Sequence, residues 1–206
     1  MPRELIVAKT FMSVRKLRIP LLCALVLSGC QIAPLDHSVA LGNSAHLKLA
    51  RYWPEASVQQ LQMIRWSHPQ HDSQQFLVSS YLHAQGITVI GFSPLGQELW
   101  RAELSPEQPL QALGIAPFDD QRLARAIISD LQLQQWPVAV LEQHLHNATL
   151  VATESMRQVT SHDGTILWEM HNHGSSTTIH NYVGEYQLTV ELLDQHLVPT
   201  QSQDDG

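Results

Sequence analysis

Apolar and polar residues alternate with a period of two over much of the chain. Tyr186, Leu188, Val190 and Leu192 alternate with Gln187, Thr189 and Glu191, and Ile166, Trp168 and Met170 alternate with Thr165, Leu167 and Glu169. This is the pattern of strands with two unlike faces. Residues 75–83 and 87–92 read as two more strands, joined by Ala84-Gln85-Gly86, a short connection containing glycine. Ser93-Pro94-Leu95-Gly96 then turns the chain into a strand over 97–104. The Asp163-Gly164 pair marks a hairpin between 149–160 and 165–170. The pattern predicts about seven antiparallel strands in a meander with one interruption.

The interruption has the period of a helix. Asp119-Asp120 supplies an acidic cap before Gln121, and Leu123, Ile127 and Leu131 recur on one face. Trp136-Pro137 stops this helix, and Pro137 suits the start of a second short one through Val138, Leu141 and Leu145. Strands, a helical insert and further strands predict an α+β domain, a curved antiparallel sheet with helices over its open side.

Several strands are apolar on both faces. Phe76, Val78 and Leu82 oppose Leu77 and Tyr81, while Ile87 and Val89 oppose Ile90 and Phe92. Helices and loops covering both faces would account for this, as would a concave face lining an apolar cavity. The large side chains on the strands and helix make Trp66, Tyr81, Phe92, Trp100, Leu123, Ile127 and Trp168 the candidate lining, with core packing as the ordinary alternative.

The N-terminal region adds the compartment. Arg15, Lys16 and Arg18 precede the apolar run from Ile19 to Leu27, which is too short to span a bilayer and has the flanks of a signal peptide. It ends in Leu27-Ser28-Gly29-Cys30, a lipobox pattern that makes Cys30 the expected lipid anchor. Met12 lies closer to the basic cluster than Met1 and is a second candidate start. Gln31, rather than aspartate, follows the cysteine and favours the outer membrane, with the domain facing the periplasm. The expected layout is a signal peptide over 1–29, a lipidated tether over 30–43, a folded domain over 44–198 and a frayed tail over 199–206. Cleavage before Cys30 removes five of twelve basic residues and one of nineteen acidic ones, leaving seven against eighteen, a net charge of −11. So acidic a domain is a poor ligand for nucleic acid or for anionic membrane surfaces. With Cys23 removed and Cys30 acylated, neither a disulfide nor thiol catalysis is expected.

Two segments resemble a known family. Phe92-Ser93-Pro94-Leu95-Gly96-Gln97-Glu98-Leu99 resembles the strand–turn–strand of the LolA/LolB-like lipoprotein carriers, particularly the outer-membrane receptor LolB, and 118–145 resembles their helical insert. Ser129-Asp130-Leu131-Gln132-Leu133-Gln134-Gln135-Trp136-Pro137 is similar to a family of uncharacterised proteobacterial lipoproteins often encoded beside aryl-polyene pigment genes. The resemblance spans about 47–193. It implies a half-barrel closed by the helical insert, an apolar cavity for acyl or aryl-polyene chains, and a transfer role for Leu95, which matches an exposed loop leucine of the receptor.

Catalytic chemistry is scarce. There is no Gly-x-Ser-x-Gly elbow, phosphate loop or dinucleotide fingerprint, so no enzyme activity and no cofactor are expected. All twelve histidines follow the cleavage site. His171 and His173, two apart on a strand, share a face, and with His180 they form a weak candidate metal set. The ordinary reading is exposed, pH-sensitive side chains standing in for lysine in a lysine-poor chain. The function expected is non-enzymatic handling of a lipid or lipidated cargo at the outer membrane. The alternative is a structural or assembly lipoprotein that fills its cavity with side chains and binds a periplasmic protein partner.

Overall fold

Short strands open the described chain: β1 (Ser38–Ala40) pairs antiparallel with β2 (His46–Lys48). The structure is a computed structural model and describes residues 37–42 and 44–199. The expected signal peptide, Cys30 and the tail beyond Pro199 lie outside the described residues. His37–Gly42, assigned above to the tether, already belong to the fold, since Val39 pairs with Leu47 and Leu41 is buried.

Five strands follow as a meander: β3 (Val58–His68), β4 (His71–His83), β5 (Gly86–Phe92), β6 (Glu98–Leu104) and β7 (Gln111–Gly114). Helices α1 (Gln121–Gln135) and α2 (Val138–His144) interrupt, at the bounds the cap and the Trp-Pro pair imply. After β8 (Leu145–His146), which completes the small sheet beside β2, a second meander runs through β9 (Ala148–Ala152), β10 (Met156–Ser161), β11 (Ile166–Asn172), β12 (Ser176–Asn181) and β13 (Tyr186–Leu197).

The two meanders join where β13 pairs with β3, giving one ten-stranded sheet in the order β7-β6-β5-β4-β3-β13-β12-β11-β10-β9. This corrects the count of about seven. The stretch 149–160 is two strands, with the chain reversing at Thr153, whose N–H bonds to the Met156 carbonyl at 2.8 Å. The sheet is open, with β7 and β9 as its edges, and is not closed into a barrel.

Period-two alternation sends Val58, Val78, Leu82, Ile87, Val89 and Ala102 to one face, where they are buried. α1 lies on that face and is held by polar contacts as well as apolar ones. Gln132 lies in the core, its amide donating to the Ala50 carbonyl at 2.6 Å and accepting from the Ala50 N–H at 2.9 Å. Arg157 on β10 donates to the carbonyls of Leu133 and Trp136, capping the helix end. Burial lowers the pKa of this guanidinium from its ordinary value.

Candidate functional site

Between the covered face of the sheet and α1 lies a chamber of about 470 Å³. Ile64 and Trp66 on β3, Phe76 and Val78 on β4 and Trp100 on β6 form much of its sheet wall. Leu123, Ile127 and Leu131, one turn apart along α1, form the opposite wall, and Ile179 and Leu188 extend the sheet side. Phe118, just before the helix, meets Phe76 edge to face at 5.8 Å between centroids. The Trp100 ring lies across Gly91 so closely that a Cβ there would come within 2.1 Å of it. Gly91 thus allows a large flat ring to lie down on β5.

Of the two carboxyl groups on its lining, Asp120 is exposed and Asp130 is buried. Asp130 accepts from the Trp168 indole N–H at 3.0 Å, from the Asn181 amide at 3.3 Å and from the Tyr186 hydroxyl. Burial pushes its pKa up to about 6, against the opposing pull of those donors. The same burial and the facing carboxyl hold the Tyr186 hydroxyl well above its ordinary value.

A second chamber of about 450 Å³ opens beside the first. Its character differs: Gln60, Gln62, Gln134, Gln135 and Gln195 contribute to its lining, with Asn172 and Thr177. Gln62, Gln134 and Val190 line both chambers and stand between them.

Of the residues singled out in the sequence, Trp66, Trp100, Leu123 and Ile127 line the apolar chamber. Tyr81, Phe92 and Trp168 do not. Leu77 pairs with Phe92 and Tyr81 with Thr88, so Tyr81 and Phe92 share the face opposite Phe76 and Val78. Tyr81 stacks there on His83 at 4.5 Å. Trp168 is on the covered face but fully buried at 0 % exposure, spending its N–H on Asp130.

Leu95 is 97 % exposed at the tip of the β5–β6 turn. That turn is closed by the Gly96 N–H on the Ser93 carbonyl at 2.8 Å and by Gly96 at φ +82. Tightness and projection therefore coexist. Among the described residues no group of three or more His, Cys, Asp or Glu is arranged to hold a metal. His171 pairs with Thr178 and approaches Glu169 at 3.7 Å, His173 lies beyond the end of β11, and His180 stacks on Tyr182. His171 and His173 stack at 6.4 Å between ring centroids, but with His180 they form no metal-holding group.

Sequence reasoning missed Asp130, Gln62 and Gln134. Asp130 carried a usable signal, a carboxylate three residues after Ile127 and one before Leu131, on the apolar side of an amphipathic helix. The glutamines carried none, because glutamine on a strand or a helix ordinarily marks a solvated face.

A family model described as a protein of unknown function (DUF3261) matches residues 57–194, about two thirds of the chain. The chain belongs to the DUF3261 family. The matched span contains every residue that lines the apolar chamber. It begins one residue before β3, leaving β1 and β2 outside. No curated protein matches the chain. Among solved structures, the DUF3261 chain is similar to a LolA superfamily protein from Nitrosomonas europaea at 9 % identity, over 72 % of this chain and 89 % of that one, with a TM-score of 0.39. It is also similar to a proposed outer membrane lipoprotein-sorting protein domain from Vibrio parahaemolyticus at 7 % identity, over 73 % and 88 %, with a TM-score of 0.38. Scores this low bear no weight for fold or function.

Proposed function

We propose that this protein is a non-enzymatic, lipid-anchored outer-membrane lipoprotein whose domain holds an acyl or aryl-polyene chain and assists its transfer or placement. In this reading the helical insert serves as the cover of a half-barrel, Cys30 carries the anchor and the domain faces the periplasm. The observation that carries the proposal is the chamber of about 470 Å³ walled by Ile64, Trp66, Phe76, Trp100, Leu123 and Ile127. Its volume lies within the range of small-molecule sites, and its walls are those of a site for a hydrocarbon. Binding would be driven by removal of apolar surface from water, at about 25 cal/mol per Å². Release would then need a destination at least as apolar, such as a membrane or a partner's cavity.

Leu95 fits the exit side of such a cycle. A leucine held almost wholly in water at a rigid turn gains by touching a bilayer or an apolar partner. The alternative, an assembly module with its cavity filled by side chains, is disfavoured by the open chamber.

Two substitutions separate binding from handover. Ala126 lines the chamber from α1, and Ala126→Trp should occupy the space and abolish retention of an acyl probe. Leu95→Glu changes only an exposed tip and should move stability by less than about 0.5 kcal/mol. It should nevertheless slow delivery of bound cargo to vesicles. Full retention by Ala126→Trp would remove the chamber from the account, and undiminished delivery by Leu95→Glu would remove Leu95.

A further inference from the structure

We infer that the boundary between the two chambers is a subsite for an uncharged hydrogen-bonding group, so that the cargo is an amphiphile with a neutral ester, amide or hydroxyl linkage. The inference rests on the acyl-chain reading above and specifies the polar end of the molecule. Gln62 is only 5 % exposed, lines both chambers, and among the described residues its amide has no hydrogen-bond partner. Gln134, from α1, faces the same junction and is likewise without a partner among the described residues.

The contrast with neighbouring glutamines is informative. Gln60 accepts from Gln135 at 2.9 Å and from Ser80 at 3.4 Å, and donates to Gln195 at 3.3 Å. Gln132 is bonded to the Ala50 backbone through both ends of its amide. Those amides serve the fold. Gln62 and Gln134 face the cavity junction with donors and acceptors unspent, open to a bound group or to water.

Charge narrows the class. Among the described residues no lysine or arginine lines either chamber, while Glu55 lines the second and Asp120 and Asp130 line the first. A carboxylate or phosphate placed at the junction would meet no lysine or arginine and would lie beside Asp130, one turn along α1 from Gln134. An amide side chain donates and accepts together, so it suits a carbonyl or hydroxyl. An acyl tail in the apolar chamber with its neutral linkage between Gln62 and Gln134 satisfies both surfaces.

The test uses the full chain in phosphatidylcholine nanodiscs, which avoid detergent in the chambers. Three photoactivatable probes are compared at equal membrane concentration: a monoacylglycerol, the matching fatty acid at about pH 8, and a plain hydrocarbon. Labelling of β3 and β4 is read by peptide mass spectrometry. The expected result is at least about tenfold more labelling by the monoacylglycerol than by the acid. Gln62→Met and Gln134→Met, which keep side-chain length but remove the amide, should each lower monoacylglycerol labelling about tenfold. Labelling by the hydrocarbon should be unchanged, which also shows that the variants are folded. Equal labelling by acid and glycerol, or methionine variants that label as the parent does, would overturn the neutral subsite while leaving the acyl-chain reading standing. No labelling of the chamber by any probe would overturn that reading, and this inference with it.

Discussion

Asp130 shows how one side chain gives the protein a pH dependence. It lies on the buried side of α1 between Ile127 and Leu131, and its neighbours are the neutral donors Trp168, Asn181 and Tyr186. Burial raises its pKa from 3.8 to about 6, so the folded state binds this proton more tightly than the unfolded chain does. The associated stability is complete below about pH 4 and is lost as pH rises through about 6. By neutral pH the loss amounts to about 3 kcal/mol. Asp130→Asn, which retains an acceptor for Trp168 and Asn181, should not show this fall. Urea unfolding of the two proteins from about pH 4 to 7 checks it: the stability gap should change across that window in favour of the variant. Parallel curves would show that Asp130 stays ionised throughout.

At the scale of the element, α1 forms the wall of the chamber opposite the sheet and is secured at both ends. Asp120 accepts from the Arg122 N–H at 2.8 Å at its start, and Arg157 takes two carbonyls at its end. Replacing Asp120 by alanine should cost about 1 kcal/mol. Arg157→Met should cost about 2 kcal/mol by leaving the Leu133 and Trp136 carbonyls unpaired. Thermal melts check both. A larger loss for Asp120→Ala than for Arg157→Met would contradict the view that the buried clamp matters more. The helix was legible in the sequence because its cap, apolar stripe and Trp-Pro stop agree. Strands β3 and β12 were not. On β3 the covered face carries Gln60 and Gln62 between Val58 and Ile64, and on β12 it carries Thr177 and Asn181 around Ile179. The polar residues that give the chambers their chemistry are those that broke the alternation. Turn chemistry hid the division of 149–160, since Thr153-Glu154-Ser155 contains neither glycine nor proline.

Across the whole molecule, the pairing of β3 with β13 decides what the fold can do. It brings 58–67 against 187–197 and so assembles the apolar chamber from both meanders, with the helical insert between them in sequence and over them in space. The α+β class, the meanders and the insert followed from local pattern. The β3–β13 junction did not, because a pairing between chain segments so far apart leaves no local trace. Four of the seven expected lining residues reach the chamber, and Tyr81 and Phe92 miss it only because the strand face was not carried through to them.

The central claim is that the chamber between sheet and helix holds an acyl or polyene chain. Mass spectrometry of the protein gently extracted from its native envelope tests this most directly. A stoichiometric acyl or polyene species, absent from the Ala126→Trp variant prepared in the same way, is the predicted result. An empty parent protein, or the same species on both proteins, would contradict the account.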